Sequence, residues 1–251
     1  SFNIDHLWIF FSVIFTTSSG YLINNYYDIN SDELNKKNIE GLSKKFYRNC
    51  YLFHFLFSFV ILFISNLSAG WMNLVIISHF LVYLYSLKLQ HWPIIGNLIV
   101  ALLCSIVLII PYWLTDKFWE LENFNLSENL NQLFVIFCFL LTVKREIVKD
   151  LEDIQGDLKT SSYTLPILIG EKLSKLVLGI LVIISLGFLI ICALESTKNI
   201  QNMGFFFTMI SLLIAFIYKT YKSFEKTDFK KLSNLLKINF LAAGIWLYIL
   251  S

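Results

Sequence analysis

The chain has 251 residues, of which 57% are hydrophobic, 17% aromatic and only 15% charged, with a mean hydropathy of +0.66. That composition lies outside the soluble-domain range and identifies an integral membrane protein, while a net charge of +2 gives no support to a nucleic-acid partner. Cys50, Cys104, Cys138 and Cys192 lie far apart inside apolar runs without metal-ligand spacing, and are read as small apolar fillers.

A hydrocarbon layer about 30 Å thick takes roughly 20 apolar residues per helix. Windows of that length predict eight spans in chain order, at 6–27, 49–65, 70–88, 94–114, 130–149, 173–194, 203–222 and 233–250. The second and third are separated by the tight turn "NLSAG". No β-barrel alternation is visible, and backbone groups in lipid must be satisfied internally. The expected fold is therefore all-α, a polytopic membrane helical bundle forming a single domain over residues 1–251. The first span lacks a basic leader and a small-residue cleavage site, so it is not a signal peptide; with Ser1 in place of an initiator Met, a truncated N-terminus is expected.

Basic residues set the orientation. Lys36, Lys37, Lys44, Lys45 and Arg48 follow the first span, Lys88 follows the third, and two larger groups follow the fifth and seventh. Of the 20 Lys and Arg residues, only Lys117 and Lys198 fall in the other connections. By the positive-inside rule the connections after spans one, three, five and seven are cytoplasmic, in a multi-pass protein of the plasma (inner) membrane.

Two polar stretches then stand out, "YLINNYYDINSDELNKKN" at 21–38 and "VKREIVKDLEDIQGDLKT" at 143–160, both on the cytoplasmic side. At 100° per residue, Asn24, Asp28 and Asp32 fall at about 0°, 40° and 80°, on one helix face. Glu146, Asp150, Asp153 and Asp157 form a second stripe, at about −40°, 0°, −60° and −20°. Crowded carboxylates repel one another unless a cation sits among them, and hard oxygen ligands suit magnesium. Magnesium usually takes one or two carboxylates together with substrate phosphate oxygens, so two such stripes point to a metal-bridged diphosphate. The plainer reading is solvated decoration at headgroup level, which a pair of one-faced stripes on the same side disfavours. Lys144, Arg145, Lys149 and Lys159 are open to two roles, as topology determinants or as phosphate ligands. None of the four histidines is near either stretch in sequence, and no role is assigned to them.

"NNYYDINSD" resembles the Asn-x3-Asp-x3-Asp signature of UbiA-type intramembrane prenyltransferases, and "EDIQGD" resembles their second aspartate-rich motif. "YSLKLQHWPIIGN", residues 85–97, is similar to the family's central loop, in which a Tyr-Ser pair and a Lys precede Gly-Asn. Within the family, "REIVKDLEDIQGD" is most similar to the geranylgeranylglyceryl phosphate geranylgeranyltransferases of ether-lipid synthesis. The resemblance implies nine helices with the first motif ending the second, which fits eight here and one missing at the start.

The resemblance also implies a prenyl diphosphate donor, a lipophilic acceptor and the bilayer as partners, with two magnesium ions as cofactor. Asn24, Asp28 and Asp32 would serve one ion and Asp150, Asp153 and Asp157 the other. These five aspartates are the expected catalytic set. Asn24, Asn25, Tyr85, Lys88, Asn97, Arg145, Lys149 and Lys159 are the expected substrate-binding residues. Two departures stand out: Asn25 replaces a frequent Asp, and "NKKNIE" replaces an Arg-Pro pair, exchanging a bidentate fork for point charges. The expected acceptor is geranylgeranylglyceryl phosphate, with an aromatic quinone precursor as the alternative. A transporter is the rival class, but its ionisable residues belong near the bilayer midplane.

Overall fold

The structure, a computed structural model, describes residues 4–34, 42–65, 67–113, 130–159, 163–195 and 200–250. Among these there are eight α-helices and no strand: α1 (Ile4–Leu34), α2 (Lys44–Ile64), α3 (Ala69–Leu87), α4 (Ile95–Trp113), α5 (Leu130–Lys159), α6 (Leu165–Glu195), α7 (Ile200–Lys222) and α8 (Lys226–Leu250). A 3-10 turn, Leu89–His91, lies between α3 and α4. Each predicted span matches one helix, and the chain is all-α as expected.

Several helices outrun their predicted spans. α1 continues past residue 27 to Leu34, α5 past 149 to Lys159, and α6 and α8 begin several residues early, at Leu165 and Lys226. Hydropathy marks only the stretch that lipid tolerates, whereas Lys, Glu and Gln are good helix formers that extend a helix into water. Among the described residues five helical stretches are long and apolar enough to cross a membrane: Ile4–Ile29, Lys44–Ile64, Ala69–Leu87, Leu165–Leu194 and Met203–Lys222. The chain is a multi-pass membrane protein.

The chain divides into two compact units. One comprises Ser1–Ile99 with Gln155–Tyr163, the other Val100–Ile154 with Thr164–Ser251. In the first, α1 packs on α2 and α3. Gly20 permits the α1–α3 approach, because a Cβ there would sit 2.9 Å from Val82 Cγ1. Ser43 and Ser68 cap α2 and α3 by accepting from the backbone N–H groups of Phe46 (3.2 Å) and Trp71 (3.4 Å).

A polar knot joins the same three helices. Buried His79 on α3 lies with Nε2 2.7 Å from Ser58 Oγ of α2 and 3.3 Å from Thr16 Oγ1 of α1, and its Nδ1 lies 3.2 Å from Ser19 Oγ. Phe59 stacks on the His79 ring and Phe55 meets it edge-on. Lipid tails are as apolar as leucine, so helices in a bilayer gain specificity from such hydrogen bonds and from close packing.

The second unit has an apolar core of Leu133, Phe137, Leu141 and Val148 from α5, Leu178 and Leu189 from α6, and Met209, Leu213 and Phe216 from α7, with Leu232 and Leu236 from α8. Lys144, open at the sequence level to either of two roles, is fully buried here, with its Nζ donating to Ser185 Oγ at 2.5 Å. α6 is broken at Gly170, whose φ of 81° suits a residue without a Cβ. Beyond that break Lys175 pairs with Glu171 at 2.6 Å, donates to the Ser223 carbonyl and lies over the rings of Phe224 and Phe229. Asp228 accepts from the backbone N–H groups of Phe224 (3.4 Å) and Glu225 (3.5 Å) at the start of α8. Those donors, Phe224 first, hold its carboxyl below the usual carboxylate range.

Candidate active site

The extended end of α1 presents the first motif. Asn24, Asn25 and Asp28 are half-buried on it. The Asn24 amide nitrogen donates to Asp28 Oδ2 at 2.6 Å, an i, i+4 pair that helix geometry brings onto one face. Asp28 Oδ1 accepts from Gln90 Nε2 at 2.7 Å, so each carboxylate oxygen meets an amide. Asn24 Oδ1 is buried with no hydrogen-bond partner among the described residues. A buried carbonyl oxygen without a donor is costly unless something else satisfies it. Asp32 lies on the same helix, one turn on, but its side chain is outside the described residues.

Gln90 belongs to the connection that the sequence marked as a loop motif. Tyr85 is half-buried near the end of α3, and Ser86 Oγ is buried without a hydrogen-bond partner among the described residues. Lys88 is exposed, with its ammonium 5.5 Å from the centre of the Trp92 ring. Asn97 is buried on the first turn of α4. The turn between is tightly made. Ile94 has φ 65°, a left-handed conformation that β-branched residues avoid, and the Ile95 N–H donates to the Pro93 carbonyl at 2.7 Å. A Cβ on Gly96 would stand 2.8 Å from the Leu89 carbonyl oxygen and 3.1 Å from Gln90 Cα.

The second motif occupies the last three turns of α5. Asp150 and Asp153 are half-buried, and Asp157 is half-buried near the helix end within the first unit. Their i, i+3, i+7 spacing puts them on one helix face, as expected. Lys226 at the start of α8 comes within 3.8 Å of Asp153 Oδ1, an approach that spacing along the chain does not reveal. Glu146, a turn before Asp150, is buried and engaged by cations, with Arg145 2.6 Å from one oxygen and Lys149 3.2 Å from the other. This aligns two candidate phosphate ligands around one carboxylate. Lys159 is exposed on the final turn.

The first unit links the connection to the far end of α5. The N–H of Tyr163, just beyond that helix, donates to the His91 carbonyl at 3.0 Å. His91, given no role from sequence, has its Nε2 3.4 Å from Gln90 Nε2. Burial pushes its imidazole below the usual histidine range.

Among the described residues no three His, Cys, Asp or Glu side chains form a metal cluster by themselves. The donor chemistry of the first motif nonetheless fits magnesium. Asn24 and Asp28 offer hard oxygens, one of them buried and unsatisfied, and magnesium keeps most of its shell for water and phosphate.

The chain as a whole is similar to known proteins. The model of the UbiA prenyltransferase family matches residues 2–242. Digeranylgeranylglyceryl phosphate synthase of Methanosphaera stadtmanae is 32% identical over 240 residues, covering 93% of this chain and 83% of that protein. The synthase of the same name from Methanobrevibacter smithii is 30% identical, covering 98% and 86%. A structure described as digeranylgeranylglyceryl phosphate synthase in membranes aligns with TM-score 0.63 at 25% identity, over 98% of this chain and 85% of that one. A UbiA homologue from Aeropyrum pernix aligns with TM-score 0.73 over 99% and 90%, and its 15% identity speaks for the fold alone.

Proposed function

The chain belongs to the UbiA prenyltransferase family and is a prenyltransferase, and on that premise we propose that it transfers a geranylgeranyl group from its diphosphate to geranylgeranylglyceryl phosphate. Two observations support the acceptor. The relatives at 30–32% identity carry that synthase name, and Arg145 and Lys149, although paired with Glu146 in this state, lie about a turn before the second motif as candidate cations for a second phosphate. The single observation that carries the donor reading is the Asn24–Asp28 pair with its unsatisfied buried oxygen.

In the proposed reaction the bond between the allylic carbon and the diphosphate oxygen breaks, and its electron pair leaves with the diphosphate. The acceptor hydroxyl oxygen bonds to that carbon, and its proton passes to the departing diphosphate. Magnesium, when bound, supplies positive charge that lowers the cost of the leaving diphosphate. Asn24, Asp28 and Asp32 would hold one ion, and Asp150, Asp153 and Asp157 a second. Lys88, Arg145, Lys149 and Lys159 would place phosphate oxygens, with Arg145 able to offer two parallel donors. Asn25, Tyr85 and Asn97 would line the donor's polar end. The apolar helices would keep water from the developing allylic cation. The whole chain would act as one membrane domain, crossing eight times and presenting both motifs to the cytoplasm.

The test supplies the full-length protein in detergent with geranylgeranyl diphosphate, magnesium and each acceptor in turn, and identifies the products by mass. A digeranylgeranylglyceryl phosphate product is expected. A prenylated aromatic ring with no prenylated glycerol phosphate would overturn the acceptor assignment.

A further inference from the structure

We propose that Gln90 is a positioning residue for the metal held by the first motif, fixing the Asp28 carboxylate from outside α1. The inference rests on the magnesium reading above. Among the described residues two amides donate to Asp28, and they differ in kind. Asn24 sits one turn earlier on the same helix and moves with it. Gln90 reaches in from the α3–α4 connection, 62 residues away, and so registers Asp28 against a separate part of the fold. Donors of this kind set ligand orientation, and their loss typically costs tenfold to a hundredfold in metal affinity or activity.

The connection is built to hold Gln90 still. Backbone bonds close the turn on both sides of it, from His91 to the Lys88 carbonyl at 3.2 Å and from Trp92 to the Leu89 carbonyl at 3.1 Å. The Tyr163 N–H anchors the turn to the chain just past the second motif. Gly96 packs so closely against Leu89 and Gln90 backbone that no side chain fits between them. Ile94 is held at φ 65°, and such strain persists only where surrounding contacts over-determine the backbone. Gly96 of the Gly-Asn pair thereby acts on Asp28 through Gln90, which gives the family-like loop motif a mechanical part beside any contact with substrate.

The test measures manganese binding by electron paramagnetic resonance on the purified full-length protein with inorganic diphosphate, alongside turnover as a function of magnesium. D28N first identifies the manganese site that belongs to the first motif. Q90L is expected to weaken that site about tenfold, with turnover recovering as magnesium is raised. G96A, which changes no polar group, is expected to weaken it in the same direction by displacing the turn. D28N turnover should not recover with added metal. Manganese affinity in Q90L within twofold of wild type would overturn the inference, as would lost turnover that metal does not restore. If D28N binds manganese like wild type, the magnesium reading itself fails and the role of Gln90 falls with it. If D28N loses the site while Q90L keeps it, only Gln90 is misassigned.

Discussion

Asp28 on α1 and Gln90 in the α3–α4 connection share a 2.7 Å hydrogen bond across 62 residues of sequence. It joins the first aspartate motif to the central loop, two stretches that sequence reading treats separately. In the proposed reaction the carboxylate it holds is a metal ligand, which makes it the first residue to substitute.

Asp28→Asn and Asp153→Asn are each expected to abolish turnover while leaving the fold stable. Removing one carboxylate from an acidic stripe relieves repulsion in the metal-free protein but weakens the bonds from Asn24 and Gln90 at Asp28, or the approach of Lys226 at Asp153, so the thermal midpoint in detergent should change little. Loss of a metal ligand where leaving-group charge develops costs on the order of 3 kcal/mol or more, at least a hundredfold in rate. Wild-type rates in both variants would sink the metal-site assignment.

The polar knot around His79 tests what orders the first unit. His79→Phe keeps a ring against Phe55 and Phe59 but leaves Ser58, Ser19 and Thr16 without the imidazole nitrogens. The expected loss is about 1–2 kcal/mol, read from denaturant unfolding in detergent. Unchanged stability would assign the knot's worth to ring packing alone.

Lys144 and Ser185 make a paired test in the second unit. Ser185→Ala removes the hydroxyl that the buried ammonium donates to, and is expected to cost about 1–3 kcal/mol. Lys144→Met replaces the same group with an apolar chain of similar volume and should leave stability equal or higher. A strongly destabilised Lys144→Met variant would show that the lysine contributes more than the bond to Ser185.

His91 gives the fold a pH dependence whose sign follows from burial. Its folded pKa is below the ordinary value of about 6.5, so between the two values the unfolded chain binds more protons. Its contribution to stability is complete above about pH 6.5 and is lost as pH falls toward the folded value. His91→Phe should flatten that part of the stability profile, as measured by thermal unfolding in detergent between about pH 5 and 7. An unchanged slope would assign the dependence to other groups.

Topology is tested by single cysteines in a cysteine-free background. Positions Glu40, Thr160 and Thr227 are expected to react from the cytoplasm, and Asn123 and Asn199 from outside. Reaction of 40 and 160 from opposite sides would mean that the two motifs cannot serve one substrate.

What could be read in advance was what repeats along a helix. Eight apolar stretches located eight helices, and the three- and four-residue spacing put Asn24 with Asp28 before any coordinate did. Spacing also told that Asp150, Asp153 and Asp157 share a face, because α5 runs unbroken beneath them. The ends were less legible, since residues such as Lys144 and Lys226 look alike as charges. One is sealed in a core and the other reaches a motif aspartate, and only packing tells them apart. Gln90, His91 and His79 left no trace in periodicity, because each acts through contacts with parts of the chain distant in sequence.

The overlong helices α1 and α5 bear on where the chemistry happens. At 1.5 Å per residue their 31 and 30 residues make rods about 45 Å long, well beyond a hydrocarbon layer of about 30 Å. The polar surplus, from Asp28 on α1 and from Asp150 on α5, extends about 10–15 Å along each helix beyond its apolar part. Lifting a prenyl tail out of the bilayer would cost about 0.8 kcal/mol per methylene-sized carbon, an amount that grows too large to cross quickly over a C20 chain. In the proposed reaction, ligands at headgroup depth would remove that demand. Both lipids would slide in sideways with their tails still dissolved in the membrane, and the ether product would depart by the same lateral route.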